Sequence, residues 1–286
     1  MTNLKSAYLT LTAVMILLIS LSACKKNAFD KTGPVTPTTP VTTDTIPQGP
    51  NTVANPTYAL VWSDEFDGTA VDTTKWGYDL GNLNVNNEEE YYQTDNATVA
   101  NGNLVITAKA QPVGGKPYTS ARLNTLGKFS QDYGRIEARI KLPTGQGMWP
   151  AFWMLGANIN TVSWPTCGEL DIMETVNNTA LNYGTMHWNV NGHVSYGSTT
   201  PVADKDNYHV YAIEWDRNEI RWYVDSTLYQ TGNIANDVNG TDAFHLPFFI
   251  ILNLAVGGDF PGQTVDQSLL PESMYVDYVR VYKQTN

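Results

Sequence analysis

Cysteine, positive charge and helical patterning are all scarce in this chain. Only Cys24 and Cys167 are available to form a disulfide in 286 residues. Seventeen Lys and Arg stand against 28 Asp and Glu, a formal charge of −11, and a polyanion such as nucleic acid finds no basic patch to bind. Between Lys141 and Lys205 there is no Lys or Arg at all. No segment carries apolar residues at helical spacing over three turns, and no internal repeat is present. What is plentiful is aromatic: 8 Trp and 16 Tyr, enough to build stacking surfaces as well as a core.

The N-terminal region is not patterned like the rest. Lys5 precedes an apolar run from Ala7 to Leu21, short for a membrane span, which leads into Leu21-Ser22-Ala23-Cys24. Such an arrangement is similar to the signal peptide and lipobox of bacterial lipoproteins. It implies removal of residues 1–23, diacylation of Cys24, and attachment at the cell envelope outside the cytoplasm. Loss of Lys5 leaves 16 basic against 28 acidic residues, a formal charge of −12 on the mature chain. With Cys24 lipidated no intramolecular disulfide remains, and Cys167 reads as a small buried residue. Residues 24–57 are rich in Thr, Pro, Asn, Val and Gly and read as a semi-stiff linker. Residues 58–286 read as one domain.

Within that domain, period-2 segments recur between turn signals. Arg135 to Leu142 alternates polar and apolar without a fault and predicts a strand with one wet face. Further strands are expected at Ala59–Phe66, Asn103–Ala110, Met148–Leu155, Tyr183–Val190, Phe248–Val256 and Met274–Tyr282. Tyr208–Trp215 and Glu219–Tyr229 read as a hairpin across Asp216-Arg217-Asn218. The expected fold is all-β: an antiparallel sandwich, or jelly roll, with a concave cleft.

Glu169-Leu170-Asp171-Ile172-Met173-Glu174 puts three carboxylates on one short strand. Glu169 and Asp171 share a face by alternation, and Glu174 is out of phase unless a β-bulge at Ile172-Met173 absorbs one residue. With the bulge all three acids line one surface. Crowded carboxyls split their pKa values, as acid/base chemistry requires. A nucleophilic carboxylate and a protonated one about 5–5.5 Å apart are the working parts of a retaining glycosidase. Since a strand rises about 3.3 Å per residue, the outer Cα atoms lie roughly 13 Å apart, so the two Glu side chains must lean inward over Asp171.

These strands also carry a series of words. They are Val61-Trp62-Ser63-Asp64-Glu65-Phe66-Asp67-Gly68, Asn86-Asn87-Glu88 with Tyr91-Tyr92, Thr119-Ser120-Ala121-Arg122-Leu123, Tyr133-Gly134-Arg135-Ile136-Glu137-Ala138-Arg139, Gly147 to Leu155, the acidic strand, Leu252 to Gly258 and Tyr275 to Tyr282. In this order they resemble the bacterial laminarinases of glycoside hydrolase family 16 over essentially the whole domain. The resemblance implies retaining endo-hydrolysis of β-1,3-glucan, with Glu169 as nucleophile, Asp171 as its neighbour and Glu174 as acid/base, and with some cleavage of mixed-linkage glucan.

The same resemblance implies that Trp149, Trp153, Trp164, Arg122, His187 and Asn253 line the cleft. Asn87 would be a distal ligand, in a loop where Glu89 and Glu90 depart from the family pattern. Trp62, Trp76, Trp188, Trp215 and Trp222 are read as lying off the cleft, all but Trp188 as core. No cofactor is implied for catalysis; a structural Ca²⁺ held by backbone carbonyls and a C-terminal-strand Asp, mapping to Glu65, Gly102 and Asp277, is a family expectation. The implied partners are the β-glucan and, through the lipid, a membrane, with the protein a monomer. Two alternatives stay open at this point: an agarase- or carrageenase-type galactan hydrolase, and a non-catalytic glycan-binding lipoprotein.

Overall fold

The computed structural model describes residues 57–285. The segment expected to be a signal peptide, Cys24 and nearly all of the expected linker lie outside the described residues.

Alternation builds the strands. In Asn103–Ala108 the side chains of Leu104, Ile106 and Ala108 are fully buried while their neighbours are half-buried, and Leu181–Asn189 alternates in the same way. The strands assemble into two sheets. One runs in the order His193–Pro201, Leu181–Asn189, Glu169–Glu174, Met148–Gly156, Phe248–Val256, Arg122–Asn124, Gly77–Asp79, with antiparallel pairing throughout. The other contains Gly134–Lys141, Tyr208–Trp215 and the long C-terminal strand Glu272–Gln284 at its centre. A short parallel pair, Glu90–Tyr92 with Tyr118–Ser120, stands apart.

One core joins the sheets: Leu170, Ile172, Met173 and Phe152 of the first meet Ile136, Ile213, Val276 and Val279 of the second in a single apolar cluster. The result is the antiparallel sandwich expected. Phe248–Val256 is buried at every position because both its faces are covered. Its even-numbered apolar residues face the core, whereas Phe249 and Ile251 pack with Leu155 and Cys167 on the cleft side.

Three expectations need correction. Glu219–Tyr229 is not one strand but two, Glu219–Val224 and Thr227–Asn233, reversed at Asp225, whose φ of 53° suits a tight turn. The polar face of Arg135–Leu142 is not wet along its length. Arg135 and Glu137 are buried, and Arg135 is paired with Glu137 at 2.8 Å and with Glu214 at 3.3 Å. Finally, His193–Pro201 is a nine-residue strand that the sequence does not announce. It is an edge strand, largely exposed, so its Ser, Thr and Gly residues carry no apolar period.

Candidate active site

The acidic strand contains the expected bulge. Opposite Leu181–Asn189 the register jumps between Asp171, facing Thr185, and Glu174, facing Tyr183. Opposite Met148–Gly156 it shifts between Asp171 and Met173. Ile172 and Met173 are both turned into the core at 0% exposure, while Glu169, Asp171 and Glu174 emerge on the other face. Burying two large side chains in succession stabilises the irregular register by about 1.5–3 kcal/mol each. Gly168 sets the entry to the strand. Its φ is +81°, and a Cβ there would meet the Phe248 ring at 2.7 Å.

The surroundings keep protons on these acids. Burial pushes the Asp171 carboxyl up to about 8. Burial, reinforced by the Asp171 charge, pushes Glu174 up to about 8, and the Trp149 indole, donating to Glu174 Oε1 at 2.8 Å, pulls in the opposite direction. Glu169 is raised by burial and by Asp171, against which His187 and a hydrogen bond from Trp164 favour its charged form. His187 Nε2 lies 3.1 Å from Asp171 Oδ2 and 3.7 Å from Glu169 Oε1. Burial and crowding thus favour protons on all three acids, and the opposing contacts are shared between Glu169, from His187 and Trp164, and Glu174, from Trp149 and His187. One carboxylate and one carboxylic acid on a common face can attack a carbon and protonate a leaving group.

The wall beyond the acids is aromatic and cross-linked by hydrogen bonds. Trp153 Nε1 donates to Asn253 Oδ1 at 2.8 Å, and the Arg122 guanidinium lies 4.7 Å from the Trp153 ring centroid. Arg122 is held in turn by Asp79 at 2.8 Å. Trp164 is 45% exposed at the opposite end, with its ring 4.7 Å from that of His193.

Residues 84–280 match the family described as Glycosyl hydrolases family 16. The chain belongs to that family. It is 43% identical over 240 residues to the clotting factor G alpha subunit of Tachypleus tridentatus, covering 81% of this chain but only 35% of that protein. It is also 43% identical over 248 residues to a beta-glucanase of Rhodothermus marinus, covering 80% of this chain and 86% of that one. The solved laminarinase from Rhodothermus marinus superposes with a TM-score of 0.76 at 41% identity, over 81% of this chain and 99% of that one.

In this family 16 enzyme the structure thus brings Glu169, Asp171, Glu174, Trp149, Trp153, Arg122, His187 and Asn253 to one face of one sheet, and Trp164 beside its end. Asn87 sits apart on an exposed loop, where its amide donates to Asp259 at 2.8 Å. Trp76, Trp188, Trp215 and Trp222 are buried and Trp62 packs against the core, as their spacing implies. Cys167 is buried, and burial and the Glu169 charge push its thiol up, which removes it as a nucleophile.

Of the positions expected to hold calcium, Glu65 and Gly102 would offer backbone carbonyls and Asp277 its carboxylate, which is paired with Arg139 at 2.7 Å. A hard cation there would have to take Asp277 from that arginine.

Several residues that shape the site carry no signal of their own in the sequence. His193 Nε2 lies 2.8 Å from His187 Nδ1, and Phe260 packs edge-on against both Trp149 and Tyr183. Behind Asn253 runs a buried chain. Its amide donates to the Tyr92 hydroxyl at 3.2 Å, and that hydroxyl donates to Glu88 Oε2 at 3.0 Å. Glu90, next to Glu88, accepts from the Val256 amide at 2.6 Å. Burial and the Glu88 charge raise Glu90 well above the usual carboxyl range. Glu90 is one of the two residues that depart from the family pattern, and only its burial reveals it as a partner in a carboxyl–carboxylate pair.

Proposed function

We propose that this protein is a retaining endo-hydrolase of β-1,3-glucans of the laminarin type, also acting on mixed-linkage β-1,3-1,4-glucan. The observation that carries the reading is the bulged strand. It aims Glu169 and Glu174 at one groove with Asp171 between them, in a fold shared at 41% identity with a laminarinase. Glu169, whose charged form His187 and Trp164 favour against burial, attacks the anomeric carbon as the carboxylate. Glu174, held protonated at neutral pH, gives its proton to the leaving glycosidic oxygen, then as a carboxylate takes one from the water that releases the glycosyl-enzyme. Asp171, hidden between them, helps hold the proton on Glu174 by crowding. Trp149 and Trp153 offer ring faces to a neutral sugar, and Arg122 and Asn253 offer donors. Family 16 chemistry needs no cofactor, since the protein's own carboxyls carry both steps.

A galactan reading finds little support in the groove: the arginine that stands against Trp153, Arg122, is already paired with Asp79 at 2.8 Å and is not free to hold a sulfate. A purely binding role does not account for three acids kept together at the cost of mutual repulsion. Product analysis on laminarin, curdlan, lichenan, agarose and carrageenan tests the proposal, with Glu169→Ala alongside. The expected result is endo-cleavage of laminarin, no release from agarose or carrageenan, and loss of hydrolysis in Glu169→Ala that azide partly restores. Undiminished laminarin hydrolysis by Glu169→Ala would remove the nucleophile assignment. The lipobox pattern supports a second proposal, that Cys24 anchors the enzyme as a monomer to a membrane facing away from the cytoplasm.

A further inference from the structure

Asp171 Oδ2 is the odd atom of the groove. It is completely enclosed, yet it has no hydrogen-bond partner of acceptable geometry, even though His187 Nε2 stands 3.1 Å away. An enclosed carboxyl oxygen facing an imidazole nitrogen without a well-aligned hydrogen bond between them is a place for another occupant. Among the described residues, Glu169, Asp171 and His187 are the one group of three such side chains whose donor atoms all lie within 4.8 Å of each other.

From this we propose that Glu169, Asp171 and His187 form a binding site for a divalent transition-metal ion of the zinc or cobalt class, and that the bound ion blocks the nucleophile. Bonds of about 2.0–2.2 Å to a tetrahedral ion place neighbouring donor atoms roughly 3.3–3.6 Å apart. The imidazole nitrogen stands 3.1 Å from one carboxylate and 3.7 Å from the other, so small side-chain rotations close the set. One imidazole and two carboxylates suit borderline ions; calcium and magnesium prefer more oxygens and do not seek nitrogen.

His193 completes the arrangement. For His187 to bind metal through Nε2 its proton must sit on Nδ1, and His193 Nε2, 2.8 Å from that atom, is placed to accept it. Metal-bound histidines commonly have such an outer partner, which fixes ring and tautomer. An ion held here covers the Glu169 oxygen that must reach the anomeric carbon, so loading stops hydrolysis reversibly. That last step rests on the proposed function; the binding itself does not.

The test is titration of the metal-free, untagged full-length protein with cobalt(II) chloride, followed by visible absorption, and with zinc chloride, followed by calorimetry. The expected result is the intense d–d absorption of low-coordinate cobalt, displaced by zinc and abolished by EDTA. It should be lost in both His187→Ala and the more conservative His187→Gln. His193→Phe should weaken zinc binding about tenfold, the loss typical of an outer-shell partner. Glu174→Gln, which disables the proposed acid but touches no ligand, should keep the absorption. No absorption at millimolar cobalt in the wild type, or absorption that survives both His187 substitutions, overturns the inference. Absorption in a protein that cleaves no β-glucan would leave the metal site standing and remove the proposed function instead.

Discussion

The Trp222 indole Nε1 donates a 2.8 Å hydrogen bond to the backbone carbonyl of Asp171. Trp222 belongs to the opposite sheet and is fully buried, so this bond crosses the core and secures the acidic strand where its register slips. A bulge removes a ladder partner from the bulged strand; here a side chain from the far sheet supplies the missing donor.

Trp222→Phe should therefore cost more than its lost area. It leaves a buried carbonyl unsatisfied, at about 1–3 kcal/mol. We expect the unfolding free energy from urea titration to fall by that amount, through a lower midpoint at an unchanged slope. Turnover should drop about tenfold as the strand between Glu169 and Glu174 loosens, since small misplacements of reacting groups are costly. A midpoint and a rate both equal to wild type would show that the bulge is held by packing alone.

The acid Glu174, raised to about 8, should set the alkaline limb of kcat/KM in that region. Trp149 donates to its carboxylate and so favours the charged form. Trp149→Phe removes that donor, and the limb should move to higher pH. Laminarin turnover at pH 7 should fall about tenfold through the lost charged hydrogen bond. A limb that stays in place or moves down would separate Trp149 from Glu174 in function.

Glu90 provides a test through stability. Its carboxyl is raised in the folded protein by burial and by Glu88, so the native state holds this proton more tightly than the unfolded chain does. Its contribution is intact below the unfolded value of about 4.3 and declines as pH rises toward the folded value. Glutamine keeps the acceptor for the Val256 amide and a donor toward Glu88 without the ionisation. Glu90→Gln should thus match wild type in Tm near pH 4 and exceed it by a margin that grows toward pH 8. Thermal scans across that range decide it, and parallel curves would show that folding does not raise the Glu90 carboxyl.

Cys24→Ser should release the enzyme from the membrane fraction while leaving the specific activity of the catalytic domain unchanged. Metabolic labelling with a fatty acid gives the direct readout. A wild-type protein that takes up no label and remains soluble would speak for ordinary secretion.

Much of the site could be read from local pattern. Alternation, together with one odd offset between Glu169 and Glu174, predicts the bulge, because strand period is a property of neighbouring residues and the apolar Ile172-Met173 pair has only one face to go to. The same logic places His187 on the cleft face and Trp188 behind it. Cross-strand and cross-sheet relations are different, since they depend on pairing between segments far apart in the chain. Nothing local in His193–Pro201 marks it as the edge strand that carries His193 to His187, and nothing local in Glu219–Asn233 shows that Trp222 reaches Asp171. Glu90 reads as one charge among three consecutive acids; burial and the neighbouring Glu88 shift it towards its neutral form, against the Val256 amide. The sequence by itself determined the all-β class, the acids and their common face, through hydrophobic period. Tertiary structure alone decided which donor, ring or second carboxyl stands next to each acid, because desolvation and hydrogen bonding are set by what packs around a group and not by its neighbours in the chain.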